Sequence, residues 1–155
     1  MENARCCFVG HRDTIMTDEI RIKLRDSAEN LIVNHNVRKF FVGNYGGFDK
    51  GSAFVISELK AKYPDIELEL VLPYLTKEII ENKYVPGAKY DSILLADIPE
   101  KTPKRYHIIK CNEYMVNNSD YIICYIIRSW GGANATLNYA KQRKKQIINI
   151  AEFFS

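Results

Sequence analysis

The stretch that most restricts the fold runs from Ser119 to Ile150, SDYIICYIIRSWGGANATLNYAKQRKKQIINI. It opens with an apolar run, Tyr121 to Ile127, rich in β-branched and aromatic side chains. The run is too short for a helix core or a membrane span, so it reads as a buried strand. Arg128-Ser129-Trp130 ends it and Gly131-Gly132 follows. Ala133, Leu137, Ala140 and Lys141 then recur at helical spacing, and Arg143-Lys144-Lys145 closes the helix where cations suit its negative end. Ile147 to Ile150 is another short apolar run. Strand, glycine turn, helix, strand is a βαβ unit. The glycine pair admits a ligand close to the backbone, and the free N–H groups of the helix start form an anion site.

The rest of the chain repeats this alternation. Cys6 to Val9 predicts a central strand that opens at Gly10-His11-Arg12. Thr17 is a candidate N-cap for a helix over 17–34, with Ile20, Leu24, Ala28, Leu31 and Ile32 at amphipathic spacing. Lys39 to Val42 is a second strand, followed by the glycine-rich loop from Gly43 to Gly51. Asp49 can cap a helix over about 50–62 with Phe54, Val55, Ile56 and Leu59 near its inner face, broken at Tyr63-Pro64-Asp65. Glu67 to Leu72 is a third strand, placed at an edge, and Pro73-Tyr74 closes it. A short helix over Thr76–Asn82, a loop through Pro86-Gly87, a short strand over Ser92–Ala96 and a helix over 104–118 follow. That last helix has Ile108, Ile109, Met115 and Val116 inside.

Alternating strands and helices imply a mostly parallel sheet of five to six strands with helices on both faces. Right-handed crossovers restrict the layout. Strands 1, 2 and 3 run outward, and the chain then crosses back to lay Tyr121 to Ile127 beside strand 1. Ligands of open α/β sheets bind at such a switch point, outside the carboxyl ends of the strands.

The chain has 155 residues, a length suited to a single domain over 1–155. Its net charge of +3 is too weak to argue for nucleic acid. Four cysteines, Cys6, Cys7, Cys111 and Cys124, form no CxxC pair, and reduced thiols in a cytoplasmic protein are expected. MENARCCFVGHR has no signal-peptide pattern, and no apolar segment is long enough to enter a membrane. His11, His35 and His107 show no metal spacing.

Three loops therefore converge: Gly10-His11-Arg12, Gly43 to Asp49 and Arg128 to Ala133, with Pro73-Tyr74 at the far rim. Arg12 and Arg128 suit phosphate or carboxylate groups. Tyr45, Phe48, Tyr74 and Trp130 can stack on a base or ribose. Each residue also has a structural reading. His11 can bond a neighbouring loop, Arg12 can pair with Asp13 or Asp49, and Asp49 suits a helix N-cap better than a catalytic base. Cys6 and Cys7 suit the core.

The GHR turn after strand 1, the YGGFD loop (Tyr45–Asp49) and the segment from Met115 to Lys141 resemble the SLOG superfamily. Its name comes from the DNA-processing SMF/DprA proteins and the lonely-guy phosphoribohydrolases. The short YpsA-like and phage branch is the nearest in pattern, from Cys7 to about Ala151. The resemblance implies a Rossmann-like three-layer α/β/α fold that binds a nucleotide or nucleotide-derived ligand, in a sensing or regulatory role. With the converging loops, this reading expects ligand contacts at Gly10, His11, Arg12, Gly43, Tyr45, Gly46, Gly47, Asp49, Pro73, Tyr74, Arg128, Trp130, Gly131, Gly132, Ala133 and Thr136. No resident cofactor or metal is expected, and because related domains often dimerise the resemblance is compatible with a homo-oligomer.

The departures bear on activity. Lonely-guy enzymes carry PGGxGTxxE, whose Glu works with an Arg on the preceding helix. Here Trp130 replaces the Pro, and Thr136 matches the Thr only with one residue inserted. The Glu position falls on Tyr139 and the Arg position on Cys111, while Asn112 and Met115 keep the YpsA-like pattern. Neither Tyr nor Cys can replace a carboxylate at an oxocarbenium-like centre. That activity is not implied. An N-glycoside hydrolase or transferase using Asp49 is the enzymatic alternative, and a single-stranded nucleic-acid binder is a third.

Overall fold

In the computed structural model the described residues are 3–75, 77 and 87–151. Six strands are joined in one sheet: β1 Ala4–Gly10, β2 Val37–Val42, β3 Glu67–Leu72, β4 Ser92–Leu95, β5 Tyr121–Tyr125 and β6 Gln146–Asn149. The helices are α1 Asp18–His35, α2 Gly47–Lys62, α3 His107–Asn117 and α4 Gly132–Gln142, with a short 3-10 turn, Lys104–Tyr106, before α3. The helix expected over Thr76–Asn82 lies, apart from Lys77, outside the described residues.

The strand order is β4-β3-β2-β1-β5-β6, and every pairing is parallel. The chain steps outward from β1 to β4 and then returns to place β5 against β1. This Rossmann-like α/β fold has its switch point between Gly10 and the end of β5. Both faces of the central strands are covered, which is why they read as continuous apolar runs. Cys6 and Phe8 point to the α1–α2 layer, where Phe8 stacks on Phe40 at 5.9 Å. Cys7 and Val9 point to the α3–α4 layer, with Phe41, Cys111, Met115, Ile122 and Cys124.

Local signals set the ends of α1. Thr17 Oγ1 accepts from the Ile20 N–H at 3.2 Å, and Asn36 takes the left-handed conformation (φ 55°) at the C-terminus. Other boundaries differ from expectation. The third strand is not an edge, because β4 pairs along it from Glu69 to Leu72. Glu69 is buried there and its charge is met by Lys39 at 3.4 Å. Phe54 lies on the exposed face of α2. Asp49 is not the N-cap of that helix: α2 begins at Gly47, Gly46 is the cap, and Asp49 sits in the first turn. β5 ends at Tyr125, so Ile126 and Ile127 belong to the loop.

Candidate functional site

At the carboxyl ends of the strands a cleft of about 470 Å³ opens at the switch point. Ten residues singled out from the sequence line it: Gly10, His11, Arg12, Tyr45, Asp49, Arg128, Trp130, Gly131, Gly132 and Ala133. The loops that carry them come from β1, β2 and β5, as the strand order requires.

Gly131 and Gly132 form the floor at the start of α4. Gly131 has φ +93°, a conformation that disfavours any side chain. Gly132 has an ordinary φ, and a Cβ there would meet no atom within 4 Å. No side chain caps this helix. The first carbonyl used is Gly131 O, by Ala135 N–H at 3.0 Å, so the N–H groups of Gly132, Ala133 and Asn134 precede the helical bonding.

Arg12 is exposed at the rim, its guanidinium 6.0 Å from the Tyr45 ring. It makes no ion pair among the described residues. Asp13 is engaged instead by Arg128, whose Nη2 donates to Asp13 Oδ2 at 2.7 Å. The Arg128 guanidinium also lies 5.2 Å from the ring of Trp130, which is 67% exposed. His11 is buried, and its Nε2 accepts from the Ile127 N–H at 3.1 Å. Burial, then the nearby Arg128 charge, lowers the His11 pKa, while Asp13 opposes this.

Asp49 is the carboxyl of the cleft. Its Oδ2 accepts from the Tyr45 N–H at 2.9 Å. Burial pushes its pKa up to about 7, against the opposing effects of that hydrogen bond and of Arg12. Tyr45 is pushed up to about 12, chiefly by burial, with Tyr74 and Cys111 adding to the effect. A carboxyl so perturbed in a cleft marks a candidate functional group.

Six expected residues do not line the cleft. Gly46 and Gly47 pack against the segment after β1: a Cβ would stand 2.5 Å from Arg12 Cα at the first and 1.9 Å from Thr14 O at the second. Gly43 gives room to Asp49 Oδ2, 2.9 Å from where its Cβ would be. The glycine-rich loop is therefore shaped by its own neighbours. Thr136 is buried and its Oγ1 donates back to Gly132 O at 3.0 Å. Tyr74 packs edge-on against His107 at 5.8 Å, with Pro73 beside it in sequence.

The far wall was not read from the sequence. Ile108, Ile109 and Asn112 of α3 line the cleft, together with Phe8, Val9 and Asp13. The two isoleucines are only partly buried, and so are not the core residues expected. The spacing of Ile108 and Asn112 did place them on one helix face. No sequence signal marked that face as open.

The sheet, its crossover and the cleft together define a Rossmann-like α/β protein with an open cleft at its switch point. No protein-family model matches the chain. It is 28% identical over 156 residues to the uncharacterized SPbeta prophage-derived protein YoqJ of Bacillus subtilis, spanning 82% of this chain and 85% of that one. Among solved structures, DNA processing protein A (DprA) of Streptococcus pneumoniae has a TM-score of 0.64 at 14% identity, covering 94% of this chain. DprA of Helicobacter pylori, described for its single-stranded DNA binding mode, has a TM-score of 0.61 at 14% identity over 93% of this chain. The Moco carrier protein of Chlamydomonas reinhardtii has a TM-score of 0.58 at 11% identity, covering 99% of this chain and 83% of that one. The chain spans 49% of the pneumococcal protein and 63% of the Helicobacter one. Among the described residues no helix is long and apolar enough to cross a membrane.

Proposed function

We propose that the cleft binds a small nucleotide or nucleotide-derived anion, in a sensing or regulatory role. The observation that carries this is the start of α4. Its N–H groups are uncapped, and the space over Gly132 is open. A helix N-terminus with no internal partner favours an anion. Arg12 adds an available guanidinium. Tyr45, Trp130 and the isoleucines of α3 supply apolar surface for a base or ribose. The ligand is a diffusible guest, not a resident cofactor.

Isothermal titration with nucleotides, nucleotide sugars and cyclic ADP-ribose-type compounds tests this reading. At least one should bind, and Arg12→Ala should weaken it by roughly tenfold, the worth of one charge-assisted hydrogen bond. Heat from none of them, with Arg12→Ala indistinguishable from wild type, rejects it.

Asp49 favours a second reading in which the cleft is catalytic. A carboxyl titrating near 7 suits general acid–base work on an N-glycosidic bond. Base release from nucleoside monophosphates that is abolished in Asp49→Asn supports it, and no turnover leaves the binding module. Exposed Trp130, and the Helicobacter protein described for binding single-stranded DNA, motivate a third reading. A steep salt dependence with single-stranded oligonucleotides is its signature.

A further inference from the structure

Three consecutive residues of the loop between β5 and α4 are each held by a distant side chain. Asn149 Oδ1 accepts from the Ile126 N–H at 3.1 Å, and Asn149 Nδ2 donates to Ile126 O at 3.1 Å. His11 Nε2 accepts from the Ile127 N–H at 3.1 Å. Asp13 Oδ2 accepts from Arg128 Nη2 at 2.7 Å. After Arg128 the chain runs through Trp130 to the glycine pair without a comparable long-range tie among the described residues. The loop that presents the anion site is thus tied to β6 at one residue and to the β1 loop at the next two.

We infer that His11 is a positioning residue for the anion site: it sets the β5–α4 loop by accepting the Ile127 N–H, and the site is assembled only while its imidazole is neutral. The inference rests on the anion reading of the same cleft, and it assigns His11 a role other than ligand contact. The chemistry is specific. An imidazole nitrogen that accepts a backbone N–H carries no hydrogen of its own, so the ring proton is on Nδ1. Adding a second proton turns Nε2 into a donor facing a donor. The Ile127 N–H then loses its partner, and a cation appears beside Arg128.

The charged groups that bear on His11 are Arg128, from the opposite loop, and Asp13, from its own. Arg128 disfavours the imidazolium and Asp13 favours it. Arg12 and Asp49 line the same cleft. Burial and Arg128 prevail, so the ring stays neutral at pH values where a free imidazole would be half charged.

A positioning role and a contact role predict opposite pH effects. If His11 touched the anion, acid would tighten binding through the added charge. If it holds the loop, acid loosens binding. Sulfate is the probe, because it keeps its charge through this range. Trp130 is the only tryptophan and lies two residues beyond Arg128, so its fluorescence reports the loop directly.

In wild type, Trp130 emission should change in one step below pH 6.5, and Asp13→Asn should move that step to lower pH. His11→Gln, whose Oε1 can still accept the Ile127 N–H, should show no step. At pH 7.5 wild type and His11→Gln should bind sulfate alike, while His11→Ala should bind about five- to tenfold more weakly. At a pH below the Trp130 step, wild type should bind sulfate about five- to tenfold more weakly than His11→Gln. Asp49 also gains a proton in this range, in both proteins, so His11→Gln is the reference: sulfate binding by wild type in acid that is as tight as that of His11→Gln or tighter, or a step that survives in His11→Gln, overturns the inference. Sulfate binding by neither protein rejects the anion reading. With a Trp130 step still present, that result leaves His11 as a structural tie only and rejects the positioning role.

Discussion

Asp49 Oδ2 and the backbone N–H of Tyr45 are joined by a 2.9 Å hydrogen bond that reaches from the first turn of α2 back across its start. The bond fixes the carboxyl at the cleft wall but does not compensate its desolvation, and the Asp49 pKa stands at about 7 against 3.8 for a free side chain. The folded state therefore binds this proton more tightly than the unfolded chain. Asp49 lends its full stability below the unfolded value, and that stability is lost as pH rises through about 7. A tenfold difference in proton affinity between the two states corresponds to about 1.4 kcal/mol. Asp49 keeps partial solvent access, so roughly 1–3 kcal/mol of pH-dependent stability is expected, a Tm change of about 3–10 °C. Thermal melts of wild type and Asp49→Asn at pH 5.5 and 8.5 measure it. The wild-type Tm should fall more across that interval than the variant Tm, and parallel curves would show that Asp49 titrates normally.

The two adjacent glycines before α4 should separate stability from binding. Gly131→Ala forces a side chain into φ +93° and should cost about 1–2 kcal/mol. Gly132→Ala meets no protein atom and replaces a poor helix former in the first turn, so stability should hold or rise by up to about 1 kcal/mol. Its methyl would still occupy the space over the helix N-terminus. Nucleotide affinity should therefore fall in Gly132→Ala while its Tm does not. Calorimetry and thermal melts on the same sample decide the matter, and unchanged affinity would move the anion away from Gly132.

Why some of this was legible in the sequence and some was not follows from what each signal encodes. The β5–α4 turn was readable because a buried strand, a glycine pair and an amphipathic helix each have their own period or composition. The layout followed because right-handed crossovers leave few choices. Burial on one face of α3 was harder to read. Ile108 and Ile109 look like core in one dimension, and only the missing neighbour at the switch point turns them toward a cleft. Gly43, Gly46 and Gly47 misled for a related reason. A glycine that makes room for a ligand and one that makes room for Thr14 O have the same letter. The tie from His11 to Ile127 spans 116 positions, and no local pattern encodes it.

The cysteines offer a test of the core. All four are buried and none is in a disulfide. Burial pushes the thiols of Cys7 and Cys111 up to about 12 and raises that of Cys6 well above its ordinary value. The thiolate is the reactive form, so these groups should be inert in the native state. A chromogenic disulfide reagent at pH 8 should label none of them until denaturant is added, and then all four. Fast labelling of Cys111 in the native state would mean that the α3 wall of the cleft opens.

Asp13 Oδ2, 2.7 Å from Arg128 Nη2, competes with any anionic guest for the Arg128 guanidinium. The pair is partly solvent-exposed, with Arg128 at 31% and Asp13 at 66% exposure, so breaking it should leave stability nearly unchanged. Asp13→Asn should instead free Arg128 to turn toward the anion and remove a negative charge from the rim. Nucleotide affinity at pH 7.5 should then rise severalfold, with the gain shrinking at high salt because exposed charges are screened. His11 is neutral at that pH, so its tie to Ile127 is unaffected and the loop stays in place. A loss of affinity would reverse the assignment: Arg128 would then serve the site only while Asp13 holds it against Trp130.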